Sequence, residues 1–177
     1  MDSGNIGFVL LCAAFVFVMT PGLAMFYGGL VRKKNVVNTM MTSIFIIGIG
    51  IVMWVLFGYS LSFAPSGNAF IGDFRWLGLE GVSLTEGYTD DASIPNMVFS
   101  AFQMMFAVIT PALITGAVAG RMKFKSIFIF TIFWSLIVYY PLAHMVWGQG
   151  GLLGADGIGA LDFAGGDVVH ISSGITA

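Results

Sequence analysis

Four long apolar segments dominate the pattern of hydrophobic and polar positions along the chain. They cover about residues 7–30, 41–63, 97–120 and 126–147, and a shorter apolar stretch covers 163–177. Each of the four is long enough to cross a bilayer, which takes roughly 20 residues as a helix. Polar and apolar residues do not alternate along them, which disfavours a transmembrane β-barrel. The pattern therefore predicts an all-α, polytopic membrane helix bundle.

The fifth apolar stretch is too short to cross a bilayer. The 15 residues from Phe163 to Ala177 would reach about 22 Å as a helix, whereas the hydrocarbon core is roughly 30 Å thick. No basic residue follows it. We therefore expect a truncated helix, and a sequence that is an N-terminal fragment of a longer protein. A re-entrant half-helix is the alternative.

The composition supports a membrane protein and excludes several functions. Hydrophobic residues make up 58% of the chain and charged residues 9%, whereas a soluble domain carries about a quarter charged residues. A net charge of −2 excludes nucleic acid as a partner. Cys12 is the single cysteine, so neither an intrachain disulfide nor a cysteine metal site is expected. No catalytic motif is present, and we expect no enzyme and no cofactor.

Basic residues predict the orientation of the chain in the membrane. Six of the seven Lys and Arg residues lie in the two short loops after the first and third segments: Arg32, Lys33, Lys34, Arg121, Lys123 and Lys125. Loops of this kind are usually cytoplasmic. The N-terminus and the 64–95 loop, which is rich in Asp and Glu, are then outside. These acids would attract a cation weakly, although solvated loop acids are the simpler explanation.

The stretch DFAGGDVVHISSG, residues 162–174, places an ionisable ring inside a predicted membrane helix. If Asp162 caps this helix, His170 lies about 12 Å further in, near the membrane centre. Ionisable side chains at this depth usually face a bundle interior or a pathway. A neutral imidazole offers one hydrogen-bond donor and one acceptor. His170 is therefore a candidate pathway residue, and a histidine bonded to a neighbouring helix is the structural alternative.

Asp162 has a structural explanation in the same stretch. An aspartate at a helix N-cap accepts hydrogen bonds from free N–H groups, here expected near Gly165 and Gly166. Its charge also complements the helix dipole. A role at the mouth of a path is the second interpretation. Asp167, in the first turn, is tolerated for the same dipole reason and is not a functional candidate.

The third apolar segment carries two aromatic residues on one helix face. Phe102 and Phe106 are four residues apart, so they neighbour each other and could stack as a hydrophobic gate above a buried histidine. Aromatic residues are 15% of the chain, so the pair alone indicates no function. Gln103 could hydrate an entering ion or cross-link helices.

The fourth segment ends at Trp147. Tryptophan is common at membrane interfaces, but its ring face also binds cations, with about 1–2 kcal/mol when partly desolvated. His144 shares its helix face. Near the outer surface, His144 fits a hydrogen-bonded interface residue better than a proton relay.

Several of these stretches together resemble the ammonium transporter family (Amt/Mep/Rh). They are TPGLAMFYGGLVRKKNVVNTMM, GYSLSF, AFQMMFAVITPALITGAVAGRMKF, PLAHMVWGQGG and DFAGGDVVHISSG. The resemblance runs from about Gly7 to Ala177. It implies a homotrimer of eleven-helix subunits in the cell membrane, each built from two inverted five-helix repeats with its own pore. This chain resembles the first repeat with its last helix cut. A PII-type regulator on the cytoplasmic face is a further implied partner.

The resemblance also implies roles for six residues. Trp147 and Phe102 resemble the walls of an outer ammonium site, and Phe102 with Phe106 resembles its gate. Gln103 is similar to the glutamine beneath that site. Asp162 resembles an aspartate needed for the architecture of the site, and His170 resembles the first of two pore histidines.

The function implied by the resemblance is transport of ammonium or ammonia. NH₄⁺ would bind at the outer aromatic site and lose a proton, and NH₃ would cross a hydrophobic pore. The second pore histidine, an outer-site serine and a second gate phenylalanine belong to later helices of the family and lie outside this sequence. A neutral gas channel like the Rh proteins and an ammonium sensor are the alternatives.

Overall fold

Helices make up most of the chain in the computed structural model, which describes residues 1–65, 68–155 and 157–177. Within these residues, four helices are long and apolar enough to cross a membrane: α1 (Ser3–Leu30), α2 (Lys33–Phe63), α3 (Asn96–Val118) and α4 (Phe124–Trp147). A π-helical turn, Gly166–Ile171, continues into the short helix Ser172–Thr176, and together they form α5. The prediction of an all-α membrane helix bundle is confirmed.

Two helices begin earlier than the apolar pattern predicted. Helix α1 begins at Ser3 rather than near residue 7, because Asp2 caps it by accepting a hydrogen bond from the Asn5 N–H at 2.8 Å. Helix α2 begins at Lys33 rather than near residue 41. Its first turn is polar and basic, and an apolar pattern does not detect a helical turn that lies outside the hydrocarbon.

Polar side chains at opposite ends of the bundle confirm that the loops sort into two groups. At one end, a Cβ on Gly120 would lie 2.9 Å from the Asn35 amide nitrogen, so the two basic loops meet. At the other end, the Asp2 N–H donates to the Ser93 carbonyl at 2.8 Å, and the Asn5 amide donates to the Ser93 hydroxyl at 3.0 Å. The N-terminus therefore lies against the 64–95 loop.

Aromatic residues fill the part of the core that lies near this loop. Trp54 and Tyr59 of α2 are at most 1% exposed. The Trp54 indole N–H donates to the Ser100 carbonyl at 3.2 Å, and the Tyr59 hydroxyl donates to the Asn96 side-chain oxygen. Because their polar atoms are hydrogen-bonded, the cost of removing these large rings from water is offset. They fix α2 against the first turns of α3.

Two of the long helices contain a π-helical turn, at Trp54–Gly58 in α2 and at Ser135–Tyr139 in α4. The helices approach each other closely at these turns. A Cβ on Gly58 would lie 2.7 Å from the ring of Tyr140. The contact therefore requires glycine, since the ring is buried and has little room to move.

Replacement of Gly58 by alanine is expected to lower the free energy of unfolding by about 1–3 kcal/mol, because the added methyl group overpacks the core. Thermal unfolding of the protein in detergent measures the change. Gly48→Ala is the matched control, since a Cβ on Gly48 meets nothing within 4 Å. Equal unfolding temperatures for the two variants would contradict the close contact.

Candidate functional site

The side chain of Asp162 organises the start of α5. Its Oδ1 accepts a hydrogen bond from the Gly166 N–H at 2.7 Å, and its Oδ2 accepts from the N–H groups of Asp167 at 2.8 Å and Val168 at 3.0 Å. One carboxylate therefore satisfies three of the free N–H groups at the helix start. The donors extend further along the chain than the sequence indicated.

Gly165 explains why α5 begins at Gly166 and not near residue 163. Its φ of +82° lies in the left-handed region, which favours glycine. A Cβ there would also lie 2.8 Å from a methyl carbon of Val169. The N–H groups of Val169 and His170 both donate to the Gly165 carbonyl at 3.0 Å, and the bond to His170 forms the π-helical turn.

Five of the six predicted site residues line one cavity of about 550 Å³, here called the aromatic cavity: Phe102, Gln103, Phe106, Trp147 and Asp162. The rings of Phe102 and Phe106 meet edge to face, with centroids 5.0 Å apart and planes at 81°. The sequence predicted stacked rings, and this arrangement differs from that prediction. The Trp147 indole N–H donates to the Asp162 carbonyl at 3.1 Å. The end of α4 is thus tied to the segment before α5.

Gln103 lines the aromatic cavity, but its side-chain oxygen is closed off from it. The Oε1 is buried and has no hydrogen-bond partner within the described residues. A buried acceptor without a partner costs about 1–3 kcal/mol. A ligand in the cavity would remove that cost only if the side chain turned so that this oxygen faced it.

His170 does not reach the aromatic cavity. Its side chain is exposed and lines an adjoining cavity of about 530 Å³, together with Phe163, Asp167 and Ile171. Asp162, Phe163 and Ala164 line both cavities. This segment therefore connects the wall of the aromatic cavity to the wall beside His170.

His144 has a different environment from the one expected near an outer surface. The side chain is fully buried, with Nδ1 3.1 Å from the Ser62 carbonyl oxygen and Nε2 2.8 Å from the Asn68 carbonyl oxygen. The ring therefore fastens the segment that follows α2 to α4. It is hydrogen-bonded, as the sequence indicated, but it is a core residue.

Three further aromatic residues line the aromatic cavity and were not among the predicted site residues: Tyr88, Phe99 and Phe163. Phe99 precedes Phe102 by three residues and lies on the same face of α3, so helical spacing could have identified it. Tyr88 comes from the 64–95 loop, which carries no periodic pattern. Its position depends on tertiary contacts that the local sequence does not encode.

The loop that contributes Tyr88 carries a net negative charge. Its one basic residue, Arg75, forms an exposed ion pair with Asp73 at 2.7 Å. The hydrogen bond from Arg75 holds the pKa of Asp73 below its usual value. Because both side chains are exposed, the pair adds little stability. It nevertheless neutralises Arg75, so the remaining loop acids, Glu80, Glu86, Asp90 and Asp91, set the sign of the charge.

The family of the chain follows from its match to known sequences. The family model described as Ammonium Transporter Family matches residues 7–177. The chain belongs to this family. The resemblance predicted from the sequence motifs is confirmed.

Relatives within the ammonium transporter family match the whole chain. An ammonium transporter of Bacillus subtilis is 53% identical over 175 residues, which are 99% of this chain and 42% of that protein. One of Aquifex aeolicus is 45% identical over 177 residues, which are 99% of this chain and 40% of that protein. The chain thus spans about two fifths of the length of these relatives.

A solved structure confirms the fold. The crystal structure of Saccharomyces cerevisiae Mep2 matches with a TM-score of 0.88 and 35% sequence identity. The match covers 99% of this chain and 40% of the Mep2 chain. The helices of this ammonium transporter family member therefore follow the arrangement found in that part of Mep2.

Proposed function

We propose that the complete protein carrying this sequence transports ammonium across the cell membrane. In this proposal NH₄⁺ binds in the aromatic cavity and loses a proton, and NH₃ passes His170 through a hydrophobic pore. The observation that carries the proposal is the cavity itself, which aromatic rings line together with the polar residues Gln103 and Asp162. Aromatic ring faces match the chemistry of a small cation.

The aromatic cavity offers ammonium two kinds of interaction. The ring faces of Trp147 and Phe102 would attract the positive charge, with about 0.5–2 kcal/mol per cation–π contact. The Oε1 of Gln103 would accept a hydrogen bond once its side chain turned toward the cation. Potassium carries the same charge and would be attracted by the same rings and by an amide oxygen. Selection against potassium therefore rests on deprotonation rather than on the cavity.

Deprotonation explains how the substrate would cross the apolar part of the pathway. An unpaired charge in a medium of low dielectric costs about 20 kcal/mol in the idealised Born limit. The neutral molecule avoids this cost. The imidazole of His170 can hydrogen-bond ammonia and relay the separated proton. Potassium has no proton to lose and would be excluded at this step.

The assembly and orientation are part of the same proposal. The two basic loops face the cytoplasm, and the N-terminus and the 64–95 loop face outward. The protein forms a homotrimer, and a PII-type regulator binds at the cytoplasmic face. A neutral gas channel and a sensor are the alternative functions. An ammonium-dependent proton current in liposomes distinguishes a transporter from a gas channel, since a gas channel would carry none.

Trp147 provides the direct test of the outer site. Trp147→Leu in the complete protein is expected to raise the KM for ammonium about five- to thirtyfold, since about 1–2 kcal/mol of cation–π attraction is lost. Currents recorded from proteoliposomes over a range of ammonium concentrations measure the change.

Trp147→Phe is the matched control for this test. It keeps an aromatic face and removes the indole N–H bond to the Asp162 carbonyl. The KM of this variant is expected to lie between those of the wild type and Trp147→Leu. A wild-type KM in Trp147→Leu would show that the cation does not bind at this ring.

A further inference from the structure

We propose that Tyr88, stacked on Phe99, forms an outer extension of the ammonium site that holds the cation before it reaches Trp147. This inference rests on the proposed function and adds a residue from the 64–95 loop to its binding site. It is carried by three observations: the position of Tyr88 on the cavity wall, the contacts that fix its ring, and the charge around it.

Tyr88 and Phe99 form one rigid aromatic unit on the wall of the aromatic cavity. Their ring centroids are 4.8 Å apart and their planes differ by 6°. The buried ring of Phe63 meets both at a steep angle, with centroids 5.6 Å from Tyr88 and 5.0 Å from Phe99. These contacts hold the pair against the end of α2. A loop residue is thereby as firmly placed as a helix residue.

Gln149 forms two hydrogen bonds to Tyr88, one to its side chain and one to its backbone, here called the clamp. The Gln149 backbone N–H donates to the Tyr88 hydroxyl oxygen at 3.0 Å, and its side-chain amide donates to the Tyr88 carbonyl at 2.8 Å. Gln149 follows Trp147 by two residues. The clamp therefore couples Tyr88 to the helix end that carries the outer site.

The loop around Tyr88 is also fixed to the start of α3. The Asn96 N–H donates to the Glu86 carbonyl at 2.8 Å, and the Met97 N–H donates to the Ser83 carbonyl at 3.0 Å. These are free N–H groups of the first helical turn, and the loop satisfies them. The contacts oppose movement of the loop away from the cavity.

Helical spacing places the Tyr88–Phe99 unit at the entrance of the cavity. Phe99 lies three residues before Phe102, or about 4.5 Å closer to the start of α3. A cation that enters from this end meets the pair first. Glu86, Asp90 and Asp91 flank Tyr88 in the chain and make this end attractive to cations within a Debye length of about 8–10 Å.

The phenol of Tyr88 stays neutral over the physiological range. Burial raises the pKa of Tyr88 to about 12. Because the pKa of this acid is raised, the neutral form persists until the pH approaches that value. The ring therefore offers a neutral aromatic surface to the cation, and changes of pH near neutrality should not alter its contribution to binding.

A residue that only captures the cation should change affinity and leave passage unaffected. In the complete protein, Tyr88→Leu is expected to raise the KM for ammonium about two- to fivefold, the equivalent of one exposed cation–π contact. The maximal current and the exclusion of potassium should stay at the wild-type level. Tyr88→Phe, which keeps the ring, should stay closer to the wild type. Proteoliposome currents give all three quantities.

Two further variants separate capture from loop stability. Phe74→Leu removes another aromatic ring of the same loop, one that is exposed and lies outside the lining of the aromatic cavity. It should leave the KM unchanged, and an equal rise in KM would overturn the proposal. Gln149→Ala removes only the side-chain bond to the Tyr88 carbonyl, so it should raise the KM less than Tyr88→Leu does, and the double variant should add nothing to Tyr88→Leu. Full additivity would also contradict the clamp.

Calorimetric titration of the detergent-solubilised protein with ammonium chloride separates this inference from the proposed function. One outcome is that the wild type binds ammonium, that Tyr88→Leu raises the Kd, and that no current is found. The outer extension then stands and the transport proposal fails. If the wild type carries current and Tyr88→Leu has the wild-type KM and Kd, the outer extension is wrong. If the wild type does not bind ammonium, both are wrong.

Discussion

Replacement of His170 by alanine in the complete protein is expected to lower the ammonium current by about tenfold or more, or to admit potassium. Among the described residues that line the adjoining cavity, His170 carries the one ionisable ring, and the variant removes both its donor and its acceptor. Without them the separated proton has no carrier, and the substrate must cross as a cation at a high Born cost. Currents with ammonium and with potassium in proteoliposomes measure both effects.

Ser173→Ala is the matched control for His170→Ala. Its hydroxyl bonds to the Val169 carbonyl at 2.6 Å within the same helix, so the variant perturbs α5 without removing the ring. Ammonium current and selectivity should stay near wild type. If His170→Ala kept wild-type flux and wild-type selectivity, the assigned role of this histidine would be wrong.

Replacement of Asp162 by alanine is expected to have the largest effect on stability, about 2–4 kcal/mol, because three N–H groups lose a charged acceptor. The turn that it holds borders both cavities, so transport should be lost as well. Asp162→Asn should recover little, since an amide has one acceptor oxygen where the carboxylate uses two. Thermal unfolding in detergent and proteoliposome currents measure the two effects.

Asp167→Asn provides the control for the loss of charge at the start of α5. Its backbone N–H keeps the bond to Asp162, and its side chain is not assigned a role. This variant should unfold at nearly the wild-type temperature and keep its current. A stable and active Asp162→Ala protein would show that the hydrogen bonds of this carboxylate do not hold the site together.

The helices and most of the site could be predicted because they depend on local patterns. Apolar length identifies the four long helices, and it fails only at polar first turns such as the one at Lys33. Spacing along one helix brings Phe102 and Phe106 together, and the cap chemistry of Asp162 is recognisable from its position before Gly165 and Gly166. These features need no knowledge of distant contacts.

The remaining features depend on contacts between segments far apart in sequence. Tyr88 reaches the aromatic cavity through Gln149 and Phe63, which lie in other parts of the chain. The burial of His144 depends on the carbonyl groups of a segment 76 or more residues earlier. Any glycine can adopt the left-handed conformation found at Gly165. The sequence therefore does not indicate which of the neighbouring glycines adopts it.

The π-helical turn at Gly166–Ile171 has a consequence for variants that change the length of the chain. Such a turn amounts to one extra residue within an α-helix. Each residue of an α-helix corresponds to about 100° of rotation about the axis. Deletion of a single residue between Gly166 and His170 would let the segment relax to regular α-helical geometry and leave the later side chains near their present directions. One lost codon here should therefore be less harmful than one lost from a regular part of a helix, where every later side chain would rotate by about 100°.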